Sequence, residues 1–332
     1  MTHHVLVTRK IPQEGIDILL RNDCRVEINP EDRPVTRDEL LGGAGRADGV
    51  LSQMVDRIDK DVLETASRVR IFSNFAVGFN NVDLGSATRL GIMITNTPGV
   101  LTDTTADLAW ALLFAAARRI VEGDRLTRAG LFKDFSPTFF LGTDITGKTL
   151  GIIGAGRIGT AMALRSAGFR MNVLYCDAEP NRVLEKDLQA KRVGLDDLLK
   201  QSDFVSVHVP LLPETVHLIG PRELGVMKKS AFLINTSRGP VVDEKALVQA
   251  LKSKTIAGAG LDVYEHEPAL EPGLAEQDNA ILLPHIGSAT LETRIKMATT
   301  AAENLVAGLK GIRPPNLVNV EVWDSPARKR HG

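Results

Sequence analysis

The sequence predicts an α/β protein made of two doubly wound parallel sheets. Three observations carry that expectation. Short β-branched runs alternate with amphipathic stretches almost from end to end, the alternation restarts near Lys148, and two long apolar helical stretches flank the second series. Strand alternating with helix marks parallel βαβ units, because parallel neighbours need a crossover to join them.

In chain order, the first series reads as strands at 5–8, 26–28, 49–51, 69–72 and 92–95, with crossover helices at 12–20, 37–41 and 60–66. One long helix is expected over 103–128, where Ala106, Leu108, Ala109, Ala111, Leu112, Leu113, Ala115 and Ala116 leave it apolar on several sides and in need of cover. The arm that follows, 131–142, holds four of the eleven Phe without periodicity. Exposed, such an arm is an interaction patch, and a homodimer contact is its expected use. The second series reads as strands at 149–153, 171–175, 204–209, 231–235, 257–262 and 280–283, enough for a complete doubly wound sheet. After Pro284 a second long helix over 289–309 needs a home outside that sheet, and the first domain is the expected one. The domains are therefore expected at 1–100 with 285–332, and at 101–284, closing about hinges near Val100 and Pro284.

Composition narrows the function classes. A formal charge of -1, with no Lys/Arg cluster inside a folded stretch, argues against a nucleic-acid face. The basic end Ala327, Arg328, Lys329, Arg330, His331 reads as a solvated terminus. No window approaches the roughly 18 apolar residues of a membrane span, and the start lacks a signal-peptide pattern, so a cytoplasmic address is expected. Cys24 and Cys176 stand far apart and read as small buried hydrophobes, and no HExxH or paired His/Asp spacing suggests a metal.

Gly154, Gly156 and Gly159 form GAGRIG directly after a strand and at the start of a helix, the context of a dinucleotide fingerprint. Gly154 permits the tight turn, Gly156 lets backbone approach a pyrophosphate, and Gly159 allows close helix–strand packing, while the helix N-terminus offers free N–H groups. Asp177 ends the next strand eighteen residues beyond Gly159, where a carboxylate can accept from ribose hydroxyls and repel a 2′-phosphate. NAD(H) is thus favoured; NADP(H) stays open because Arg182 could reach a phosphate, and Asp177 could equally just cap its turn. Arg238, Glu267 and His285 each follow a strand, at the edge where open α/β sheets bind ligands. Arg238 can hold a carboxylate bidentately. His285, with an ordinary pKa of about 6.5, can protonate an oxygen on which hydride addition builds charge. Glu267 beside it would favour the imidazolium and orient the ring. His208 reads as a structural residue or cofactor-pocket wall; His217 and His266 fall in polar loops.

These residues resemble the D-isomer-specific 2-hydroxyacid dehydrogenases over nearly the full length, and most closely their glyoxylate/hydroxypyruvate reductase branch. The resemblance rests on the glycine motif from Gly151 to Gly159, on the run from Met227 to Gly239 ending in NTSRG, on the run from Gly260 to Pro268 reading GLDVYEHEP, and on LPHIGS from Leu283 to Ser288. It implies Rossmann-like and flavodoxin-like domains with the active site in a cleft between them. Arg238 is then the substrate-binding arginine, Glu267 its carboxylate partner and His285 the general acid/base. It further implies that Val77 and Gly78 present N–H groups to the substrate carboxylate. Thr104, Arg157, Ile158, Thr236 and Asp262 would meet phosphate or nicotinamide, with Pro210 and Thr215 near the adenosine. Phe139 and Phe140 occupy the arm where related reductases often carry Trp, and Asp177-Ala178 replaces the Ser-Arg of some relatives, a change expected to move preference toward NADH. Glu267 sets the chain apart from formate dehydrogenases, which carry Gln there. The alternatives within enzymes are D-3-phosphoglycerate dehydrogenase and 2-ketogluconate reductase; the alternative of another class is an NAD-sensing corepressor.

Overall fold

The structure is a computed structural model that describes residues 2–328; of the basic end, Lys329, Arg330 and His331 lie outside the described residues. Two compact units divide the chain. One holds the residues up to Leu101 and those from Ala289 onward, the other Thr102–Ser288. The sequence reading placed these breaks one residue and four residues earlier. His285 to Ser288 stay with the second unit because Asp262 accepts the backbone N–H groups of Ile286 and Gly287.

The first unit runs β1 (His3–Val7), α1 (Gln13–Arg21), β2 (Cys24–Ile28), α2 (Arg37–Ala44), β3 (Gly49–Ser52), α3 (Lys60–Thr65), β4 (Ile71–Asn74), α4 (Leu84–Arg89) and β5 (Met93–Thr95). The second runs α5 (Thr102–Ala117), α6 (Ile120–Arg128), β6 (Thr149–Ile153), α7 (Arg157–Arg165), β7 (Asn172–Cys176), α8 (Arg182–Leu188), β8 (Lys191–Arg192) and α9 (Leu195–Gln201). It continues with β9 (Phe204–Val207), α10 (Pro221–Val226), β10 (Phe232–Asn235), α11 (Glu244–Lys252), β11 (Gly258–Leu261) and β12 (Ala280–Leu282). The chain then returns to the first unit as α12 (Leu291–Leu309).

All strand pairs are parallel. The first sheet has the order β2-β1-β3-β4-β5, the flavodoxin-like arrangement; the second has β12-β11-β10-β9-β6-β7-β8, a dinucleotide-binding order widened by β12. The expected α/β class, with two doubly wound sheets, is what the chain forms. In each unit the crevice for a ligand falls where the strand order reverses, between β1 and β3 and between β6 and β9.

Local signals start the helices. Thr36 and Glu39 make a reciprocal capping box at α2, and Asp59, Asp83, Asn181, Asp243 and Thr290 cap α3, α4, α8, α11 and α12 through their side chains. In the first unit α12 crosses α1 so closely that a Cβ on Gly15 would lie 2.8 Å from the Ala298 carbonyl oxygen, and Ser73 of β4 donates to the Ala301 carbonyl. In the second, α5 and α7 cover one face, where Trp110 stacks on Phe169 and donates to the Met162 carbonyl. Leu198, Leu199, Leu224, Leu247 and Leu251 from α9, α10 and α11 cover the other.

Three elements differ from the sequence reading. The helix expected over 103–128 is two, broken at Arg119 in the left-handed region (φ 54°). There the Ala117 carbonyl accepts Thr143 N–H from the returning arm, while Arg119 pairs with Glu122 and lies 4.0 Å over the Phe140 ring. The short α4 and the two-residue edge strand β8 carry too little apolar pattern to be read. Along the arm Leu131, Phe132, Phe135, Phe139 and Leu141 are exposed, Phe135 to 85%, and α6 buries no residue. Among the described residues no helix is long and apolar enough to cross a membrane.

Candidate active site

The glycine turn between β6 and α7 has the stereochemistry that its glycines allow. Gly154 takes φ 90°, and a Cβ there would lie 2.8 Å from the His208 backbone carbon. A Cβ on Gly159 would come within 2.0 Å of the Gly154 carbonyl oxygen, whereas one on Gly156 would meet nothing within 4 Å. Gly156 caps α7 without a side chain, so the first-turn N–H groups, beginning at Arg157 and Ile158, are left for an anion beside open space. The fit to a dinucleotide pyrophosphate is direct. Thr236, just beyond β10, adds a buried hydroxyl with no partner among the described residues.

Asp177 does more than end its strand. Its Oδ2 accepts the Ala155 N–H of the glycine turn (2.7 Å), and its Oδ1 accepts Glu179 N–H, the turn-capping bond that the sequence also allowed. Asn181 closes the other side by donating to the Ala155 carbonyl and to Thr160 Oγ1. Arg192 also lies against this turn, donating to the carbonyls of Asp177 and Ala178. Sequence reasoning missed it because β8 has no apolar run to announce it. Thr215 is turned into its own loop, donating to the Pro210 carbonyl and accepting Leu212 N–H. Thr104 lies in the first turn of α5.

Arg238, Glu267 and His285 stand on consecutive loops past β10, β11 and β12. Asn235 pins the first loop by accepting Ser237 N–H and donating to the Arg238 carbonyl. Gly239 then packs directly on the next loop, since a Cβ would sit 1.8 Å from the Tyr264 carbonyl carbon. Arg238 donates through Nη1 to the Ser237 carbonyl. Burial pulls its pKa below the usual value against the opposing charge of Glu267. His285, in the left-handed region at φ 55°, donates Nδ1–H to Glu267 Oε2 at 2.8 Å. Glu267 Oε1 in turn accepts Tyr264 N–H. Burial pushes the Glu267 carboxyl up, but the His285 bond and charge, the Tyr264 amide and Arg238 outweigh it, so the group is held below the ordinary carboxylate range.

Asp262 spends both carboxylate oxygens on the loop that carries His285, accepting Ile286 and Gly287 N–H at 2.7 Å each. In the first unit, the loop after β4 has its peptides fixed by side chains: Asn96 donates to the Val77 carbonyl and Asn74 to the Gly78 carbonyl. Among the described residues no group of three or more His, Cys, Asp or Glu is arranged to hold a metal ion.

A glycine turn shaped for a dinucleotide, with a carboxylate-bound imidazole and a half-buried guanidinium on neighbouring strand ends, defines a nicotinamide-dependent oxidoreductase. The profile described as D-isomer specific 2-hydroxyacid dehydrogenase, NAD binding domain, matches residues 110–287. The glyoxylate reductase of Thermococcus gammatolerans is 50% identical over 326 residues, 97% of either chain. Among solved structures, the TT0316 protein of Thermus thermophilus superposes with a TM-score of 0.89 at 44% identity, covering 95% of this chain and 99% of that one. An NADPH-dependent glyoxylate/hydroxypyruvate reductase from Sinorhizobium meliloti, solved with NADP and malonate, gives 0.83 at 30% identity, covering 97% and 98%. The chain belongs to the D-isomer specific 2-hydroxyacid dehydrogenases.

Proposed function

We propose that this enzyme reduces glyoxylate or hydroxypyruvate to the corresponding 2-hydroxy acid, with NADH preferred. The observation that carries the reading is the His285 Nδ1 to Glu267 Oε2 bond of 2.8 Å, made on the loop next to that of Arg238. When bound, the nicotinamide cofactor supplies the hydride for the carbonyl carbon. The chain's own residues do the rest. Glu267 keeps the Nδ1 proton of His285 in place, so that Nε2 faces the substrate as the acid and gives its proton to the carbonyl oxygen. Arg238 grips the carboxylate through its planar fork and steadies the charge growing on that oxygen. In the first unit, the N–H groups of Val77 and Gly78 are proposed as donors to a substrate carboxylate.

The Asp177 carboxylate supports NADH, because it stands on the glycine turn where a 2′-phosphate would meet like charge. The exposed arm from Leu131 to Leu141 supports a homodimer, since the exposed Phe and Leu side chains gathered on this one segment ask for cover. A cytoplasmic address belongs to the same proposal.

The experiment is oxidation of NADH and NADPH against glyoxylate, hydroxypyruvate, pyruvate, 2-ketogluconate and 3-phosphohydroxypyruvate at neutral pH. Fast NADH oxidation with either of the first two acids is expected; turnover confined to the last two would reassign the substrate, and a preference for NADPH would remove the Asp177 argument. Light scattering of the same sample checks the dimer.

A further inference from the structure

We propose that Glu244, Glu265 and His217 form a clamp that positions Glu267 against His285, an inference that rests on reading those two residues as the acid pair. Glu267 is itself about a third exposed, at 32%, and sits on a polar loop, so its aim must come from what holds that loop. One side is held through Asp262 and through the Tyr264 hydroxyl, which donates to the Leu283 carbonyl. The other side is held two residues before Glu267, at Glu265. Glu265 N–H donates to Glu244 Oε1 at 2.8 Å, and Glu244 N–H donates back to Glu265 Oε2 at 3.2 Å. The remaining oxygen of Glu265 pairs with His217 Nε2.

Burying a carboxylate such as Glu244 is costly, which is why the arrangement points to use. Glu244 is 2% exposed in the first turn of α11 and faces the carboxylates of Glu265 and Glu271. Burial pushes its carboxyl above the usual range, and only the Glu265 and Glu271 amides and the start of the helix offset that. His217, exposed and in the left-handed region at φ 51°, also donates its backbone N–H to the Pro240 carbonyl. One residue thus touches both the loop of Arg238 and the loop of Glu267. The charged and titratable groups facing Glu267 itself are His285, Arg238, Asp262 and Tyr264.

The test compares His217→Ala and Glu244→Ala with His217→Gln and Glu244→Gln, whose amides keep a donor toward Glu265 and an acceptor for its N–H. The substrates are glyoxylate and hydroxypyruvate, and kcat, the KM for NADH, the pH profile of kcat/KM and Tm are read. The Ala variants should lose about tenfold in kcat, with the KM for NADH within about twofold and the alkaline limb of the profile moved to lower pH; the Gln variants should recover most of both. A wild-type kcat and pH profile with only a lower Tm would show a merely structural role and overturn the clamp. Should Glu244→Ala not fold, His217→Ala decides alone, because its side chain lies on the surface. His285→Ala is measured in parallel. If it keeps turnover, the acid pair is misassigned and the clamp falls with it; if it is inactive while the clamp variants match wild type, the clamp alone is wrong.

Discussion

His208 follows β9 with Nε2 on Ser206 Oγ at 2.8 Å and Nδ1 buried without a partner among the described residues. Burial disfavours its charged form and brings its pKa down to about 3. In the unfolded chain the same ring takes a proton near pH 6.5, so between about pH 6.5 and 3 the unfolded state binds more protons and stability falls as the pH falls. The slope is at most about 1.4 kcal/mol per pH unit. Urea midpoints between pH 7 and 4.5 should therefore drop less for His208→Asn than for wild type, and parallel curves would reject the assignment. Glu267 acts lower on the scale: its depressed carboxyl contributes stability that is present above about pH 4.3 and lost as the pH falls through its folded value. At this scale the sequence spoke for residues that follow an apolar strand, which is how Arg238, Glu267 and His285 stand out as candidates. It was silent on Glu244 and Arg192, whose roles depend on partners 21 and 15 residues away that no spacing rule connects.

Among the elements, the β6–α7 turn separates two functions that a glycine motif usually confounds. Gly159 is there for packing, because its Cβ would lie 2.0 Å from the Gly154 carbonyl and force helix from strand; Gly156 opens on empty space, which leaves room for the proposed ligand. Gly159→Ala should lower Tm markedly and weaken NADH binding as a by-product. Gly156→Ala should leave Tm within about 2 °C while weakening NADH about tenfold or more, read by differential scanning fluorimetry and protein-to-NADH energy transfer. Equal losses of Tm would contradict the division of labour. Apart from β8, the strands of both sheets were legible because parallel strands buried on both faces are continuous β-branched runs, as in Val205 and Val207 of β9. The break at Arg119 was not, since what ends α5 is Thr143, contributed by an arm 26 residues downstream of Ala117.

At the scale of the molecule, the two units differ in how the chain supplies them. The second is continuous, Thr102–Ser288, with its own seven-stranded sheet and cores on both faces. A fragment of residues 102–288 should unfold cooperatively in urea and bind NADH; a non-cooperative transition would show that it needs the rest of the chain. The first unit is discontinuous. Its β3 and β4 pack under α12, where Met297, Ala298, Ala301, Leu305 and Leu309 are buried, yet the whole second unit intervenes before that helix is made. For a nascent chain growing at about 5–20 residues per second, the sheet face laid down by β4 waits roughly ten to forty seconds for its cover. The second unit can finish folding in that time, while the first stays sticky and open to chaperones, so the slow and aggregation-prone step of biosynthesis belongs to the unit that begins first and closes last.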